Sequence, residues 1–200
     1  MEDLNRIETP PLLFAHRGGK ADAPENTIEA FKKALSNGSN GLESDAQLTK
    51  CGNVVLNHDR RFGHFFKRKA INKCELLNLP SSIPSLETFY SQIDGEYDFS
   101  IDFKDEKAIQ EILRISKKYL FPMKKLWLCH PDIEKIALWR DLDESVRLVN
   151  STTLEGLKEG PERRIANLSE IGADAFNMHF SEWNEGCLLY TSPSPRDVLR

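Results

Sequence analysis

Apolar positions along this chain fall into short runs that end on a polar residue, alternating with stretches in which they recur at every third or fourth place. The first kind predicts strands and the second amphipathic helices. Leu12-Leu13-Phe14-Ala15 runs into His16 and predicts a strand buried on both faces. Asn26 or Thr27 can cap the helix that follows, with Ile28, Phe31, Ala34 and Leu35 on its buried stripe and a stop around Asn37-Gly38. Residues 42–48 predict a second strand, and Lys50-Cys51-Gly52-Asn53 a turn before Val54-Val55-Leu56. A turn made of these four residues sets Asp45 across a hairpin from His58.

The alternation then continues. Strands are predicted at 98–103, 126–129, 146–149 and 175–179. Between them lie a helix over 106–119, one capped by Asp132 and running through Trp139 and Arg140, and helical segments at 154–158 and 161–171. Pro161 suits a first helical turn, and Gly172 ends the last helix. Repeated βα units imply a parallel sheet with helices outside it. Six strands, starting near Leu12, Leu42, Asp98, Leu126, Val146 and Ala175, belong to that sheet, and the Val54 strand is an extension folded back on it.

Two hundred residues suit one domain. A net charge of −4 argues against nucleic acid as a partner. No apolar run is long enough to span a membrane. The polar, acidic opening Met1-Glu2-Asp3-Leu4-Asn5-Arg6 is unlike a secretory signal, and Cys51, Cys74, Cys129 and Cys187 show no paired spacing. A cytoplasmic protein with reduced thiols is expected. From Cys187 the composition changes, and residues 187–197 resemble one translated frame of a transposase adapter used in sequencing libraries. The expected organisation is therefore a domain over 1–186 and a non-native tail over 187–200.

Chemistry gathers in the first sixty residues. His16-Arg17-Gly18, the pair Glu43 and Asp45, and His58-Asp59 each close a predicted strand. Two imidazoles can serve as base and acid, two carboxylates can hold a divalent cation, and a guanidinium can grip a phosphate. Glu43 and Asp45 lie two apart and share one face of their strand. His16 alone would fit a surface histidine, but joined to Arg17-Gly18 at a strand end it points to catalysis. The basic, aromatic stretch 60–69 reads as a solvated loop with two phenylalanines packed beneath it.

Ala15-His16-Arg17-Gly18-Gly19, Pro24-Glu25-Asn26-Thr27, Gly41-Leu42-Glu43-Ser44-Asp45, Asn57-His58-Asp59 and Pro84-Ser85-Leu86-Glu87, in that order, resemble the glycerophosphodiester phosphodiesterase family. The likeness runs from about Leu12 to Trp183. It implies a TIM-type (β/α)8 barrel, incomplete here at about six of eight strands, with His58 on a hairpin extension. Inactivity is expected of a chain without the last two strands. The resemblance implies metal-dependent hydrolysis of a small glycerophosphodiester to sn-glycerol 3-phosphate and an alcohol, with His16 and His58 as acid and base. It further implies Mg²⁺ or Ca²⁺ on Glu43, Asp45 and Asp102, and substrate phosphate on Arg17 and Lys104. Asp102 and Lys104 stand where the family usually has Glu-x-Lys, so the acidic ligand is a methylene shorter. Glu25, His130 and His179 are candidate pocket residues. Two other readings share the pattern: phospholipase-D-like action on intact phospholipids, and an inactive member that only binds phosphodiesters.

Overall fold

The computed structural model describes residues 11–20, 22–64, 67–103 and 105–183. Lys104, Phe65, Phe66 and the expected tail from Cys187 lie outside these. The chain forms two compact units, one over Leu12–Leu128 and one from Cys129 onward.

In the first unit β1 (Phe14–Ala15) leads through a single 3₁₀ turn at His16–Gly18 into α1 (Ile28–Ser36). There follow β2 (Gly41–Leu48), β3 (Val54–Leu56), the short strands β4 (Arg61–Phe62) and β5 (Lys69–Ala70), and α2 (Leu86–Gln92). Then come β6 (Asp98–Phe103) and α3 (Ala108–Lys118), and β7 (Leu126–His130) runs through the division. β2 pairs in parallel with β1 and with β6, and β3 lies antiparallel on the far half of β2. The second unit holds α4 (Ile133–Arg140), β8 (Arg147–Ser151), α5 (Pro161–Glu170) and β9 (Ala175–Asn177), with β8 and β9 parallel. This order of elements is that of an incomplete TIM-type barrel, with six of its strands among the described residues and β3 as the expected extension.

Local sequence explains the helix starts. Thr27, not Asn26, caps α1, accepting the Ala30 N–H at 3.2 Å. Asp132 caps α4, and Pro161 opens α5. α2 is absent from the sequence reading, although Ser85 caps it by accepting the Thr88 N–H at 3.0 Å. Its Phe89 stacks on Phe99 of β6, ring centres 4.3 Å apart, in a core shared with Phe31, Leu42 and Ile101. Ser116 sits on the buried stripe of α3 because its hydroxyl meets the Tyr90 hydroxyl at 2.8 Å.

Three expectations need correction. β1 is half-buried rather than buried on both faces, and Leu13 is 57% exposed, because the strand is an edge of this unit's sheet. The stretch 60–69 is no plain loop: β4 and β5 pair antiparallel, and Phe62 packs on Val55, Ile71 and Ile83. The β2–β3 register is one residue off the expected one. Gly52 takes φ +81°, so the turn centres on Cys51 and Thr49 pairs with Asn53. Asp45 therefore faces Asn57, whose N–H donates to the Asp45 carbonyl at 2.8 Å.

Candidate active site

The ends of β1, β2 and β6 bring His16, Arg17, Glu43, Asp45 and Asp102 to one face of the sheet. Asp45 and Asp102 are register partners on neighbouring parallel strands, and Glu43 lies two residues back on β2. All three carboxylates thus point to the same face of the sheet. Arg17, just past β1, ties them to the first loop. Its backbone N–H donates to Glu43 Oε2 at 2.8 Å, its Nε lies 3.4 Å from Asp45 Oδ2, and its Nη1 reaches both Glu25 oxygens at 3.2 Å. Glu25, a candidate pocket residue, is thus paired with Arg17. His16 sits beside this array, its Nε2 3.9 Å from Glu43 Oε2.

The loop that holds Arg17 is backbone under strain. Arg17 and Asn26 both take positive φ, at 52° and 57°, and the Asn26 N–H donates to the Arg17 carbonyl at 2.9 Å. Side chains outside glycine adopt this region at a cost that surrounding contacts must offset. Asn26, 1% exposed, supplies them: its Oδ1 accepts the Ser44 hydroxyl at 2.7 Å and its Nδ2 lies 3.4 Å from Asp45 Oδ2. The sequence reading gave Asn26 only a capping role. The available signal was its place in Pro-Glu-Asn-Thr directly before a residue that caps better. Gly18 allows α1 to approach: a Cβ there would stand 2.9 Å from Ala30 Cβ, at φ +77°. Gly18→Ala is expected to destabilise the fold by about 1–3 kcal/mol and to displace His16, measured by urea unfolding and by activity.

Electrostatics set the protonation states. Burial, with Asp45 and Asp102 adding to it, pushes the Glu43 carboxyl up to about 8 against the pull of the Arg17 N–H. His16 is held below the ordinary imidazole value, first by partial burial and then by Arg17, and is neutral at neutral pH.

Among the described residues, no three acidic, histidine or cysteine side chains are gathered as a ready ion cage. Arg17 explains this, since it already neutralises Asp45 and holds Glu43. The donor chemistry still fits a hard cation. Three carboxylates share one sheet face, and Glu43 keeps a proton because burial, with Asp45 and Asp102 beside it, opposes a further negative charge.

His58 follows β3. Its carbonyl accepts Gln47 Nε2 at 3.2 Å and its Nδ1 meets Asp59 Oδ1 at 3.0 Å. A polar cavity of about 240 Å³ lies between Glu25 and the β4–β5 hairpin, lined also by Asn57, Asp59, Arg61 and Arg68. The two outlying histidines have local roles in the second unit. His130 is buried, accepts the Asp132 N–H on Nδ1 at 3.1 Å and meets Trp139 edge-on. His179 lies beyond β9 rather than in it, exposed, with Nδ1 2.7 Å from the Ser181 hydroxyl.

Fold and side chains define a class: an incomplete α/β barrel whose strand ends carry a histidine and several carboxylates around one arginine. The sequence model of the glycerophosphoryl diester phosphodiesterase family matches residues 16–159. The chain belongs to this family. It is 44% identical over 163 residues to the uncharacterized protein YqiK of Bacillus subtilis, a match covering 65% of this chain and 67% of that one. It is 54% identical over 48 residues to a glycerophosphodiester phosphodiesterase of Caldanaerobacter subterraneus subsp. tengcongensis, over 24% of this chain and 20% of that protein. This chain thus spans a fifth of that relative's length. The crystal structure of a glycerophosphodiester phosphodiesterase from Thermotoga maritima shares the fold, with a TM-score of 0.72, 24% identity, and coverage of 84% of this chain and 73% of that one.

Proposed function

We propose that the site hydrolyses glycerophosphodiesters to sn-glycerol 3-phosphate and an alcohol. The observation that carries this reading is the array around Arg17, with a neutral imidazole on one side and a paired carboxylate face on the other. Family membership supports the same chemistry. In this reading Arg17 turns from its acidic partners to a substrate phosphate, and Lys104, outside the described residues, adds a second positive charge. His16, unprotonated at neutral pH, takes the proton of the attacking oxygen. His58 returns one to the departing alcohol. Glu43, Asp45 and Asp102 would hold Mg²⁺ or Ca²⁺, and a cation bound there would supply positive charge against the phosphate and acidify a nearby hydroxyl.

The test is product analysis with glycerophosphocholine, with and without chelator, and with an intact phospholipid as a second substrate. It is run on the 200-residue chain and on the chain extended after Gly186 by the last two βα units of a relative. Choline and sn-glycerol 3-phosphate should appear, chelation should abolish them, and Mg²⁺ or Ca²⁺ should restore them. Full turnover in excess chelator removes the cation from the reading. Cleavage of the intact phospholipid alone replaces it with the phospholipase-D-like one.

A further inference from the structure

The hairpin β4–β5 reaches the chemistry through a chain of charged hydrogen bonds. His58 Nδ1 meets Asp59 Oδ1 at 3.0 Å, and the other oxygen of that carboxylate accepts Arg68 Nη2 at 2.6 Å. Arg68 is itself held. Its Nη2 also donates to the Arg61 carbonyl, and Arg61 Nη2 donates to the Arg68 carbonyl, both at 3.1 Å. The hairpin rests on the core through Phe62, which packs on Val55, Ile71 and Ile83. On the other side the Asn57 side chain donates to the Asp59 carbonyl at 2.7 Å, and the Asn57 N–H is fixed on Asp45. Asp59 is thus fixed from both directions.

Stability does not explain this arrangement. Arg68 and Asp59 are 44% and 56% exposed, and pairs of this kind contribute little to folding. Orientation does explain it. An ionised carboxylate only accepts hydrogen bonds, so the His58 nitrogen facing Asp59 must carry the hydrogen. Burial-independent contacts with His58 and Arg68 keep Asp59 ionised. The neutral imidazole is then locked with hydrogen on Nδ1 and its lone pair on Nε2. When Nε2 gives up a proton to a leaving alcohol, the tautomer left behind is the one Asp59 holds.

We propose that Arg68 is a positioning residue, contributed by the β4–β5 hairpin, that fixes the tautomer and ring orientation of His58 through Asp59. The catalytic consequence rests on the proposed hydrolysis; the tautomer does not. Asp59 keeps its charge throughout and takes up no proton.

The experiment is long-range ¹H–¹⁵N NMR of the His58 ring in the metal-free 200-residue chain, at a pH where the imidazole is neutral. The unaltered protein should show hydrogen on Nδ1. Arg68→Ala should give mixed tautomers, and Arg68→Lys should recover the original. Asp59→Asn should reverse the tautomer, because Arg68 holds the amide oxygen and turns the NH₂ group toward Nδ1. In the chain extended after Gly186, with glycerophosphocholine, Arg68→Ala should lower kcat by about 10–100-fold with KM unchanged, as loss of an orienting partner does elsewhere. An Arg68→Ala spectrum identical to that of the unaltered protein overturns the relay. Tautomers that shift as expected, with no turnover by the chain extended after Gly186, refute the hydrolysis and leave the relay standing.

Discussion

Replacing either His16 or His58 with alanine is expected to lower kcat by roughly 10²–10⁴, the span found for a positioned acid or base, while KM changes little. His16 stands 3.9 Å from Glu43, next to the arginine that would hold the phosphate, and partial burial keeps it unprotonated where the reaction runs. The carboxylates of Glu25, Glu43 and Asp45 are engaged by Arg17, so an alanine at position 16 leaves the attacking oxygen to lose its proton to water. His58 is only partly buried and is not among the buried core residues, and its ring is bonded to Asp59. Substituting it should therefore leave the fold intact. The two losses should not add. Removing one partner of a base–acid pair already forfeits the concerted transfer, and the double substitution should cost little more than the worse single one. Steady-state kinetics on the two single variants and the double variant measure this. A change confined to KM would move that histidine from the chemical step to substrate binding.

Sequence went furthest where chemistry depends on near neighbours. Glu43 and Asp45 share a strand face by period alone, and the parallel pairing of Asp45 with Asp102 follows once β2 and β6 are recognised as consecutive sheet strands. The hairpin shows the limit. Both strands were placed well, yet one glycine with φ +81° moved the turn centre by half a residue and the pairing by a whole one. Asp45 then faces Asn57, and His58, one residue on, is held by Asp59 and Gln47 instead of standing directly across the ladder. Asn26 and Arg68 were less legible still. Their importance lies in contacts with Ser44 and Asp59, which no local period encodes. α2 was overlooked because its seven residues are too few to show a clear stripe, although Ser85 and Thr88 carry its start.

Glu43→Gln is expected to stabilise the metal-free protein at pH 7–8 while abolishing hydrolysis. The Glu43 carboxyl binds its proton more tightly in the fold, at about 8, than at its ordinary 4.5. A group shifted this way favours the folded state while protonated, and that advantage is lost as pH rises from the lower value through the higher one. At pH 7 the penalty is on the order of 3 kcal/mol, taking about 1.4 kcal/mol for each unit between the ordinary value and the prevailing pH. Glutamine keeps the size of the side chain and an oxygen for the Arg17 N–H, and has no charge to place beside Asp45 and Asp102. At pH 8 the same rule gives about 5 kcal/mol, so the midpoint of thermal unfolding should rise by roughly 10–20 °C there, since 1 kcal/mol is worth about 2–4 °C in a chain of this size. Near pH 4, where glutamate is protonated in both states, the two proteins should unfold together. Divalent cation should raise the midpoint of the unaltered protein, most at the alkaline end where no proton competes, and should do much less for the variant. Scans at both pH values, with and without Mg²⁺, decide it. An equal gain at pH 4 and pH 8 would trace the effect to packing, and a loss at pH 8 would show that the buried carboxylate is satisfied without a cation.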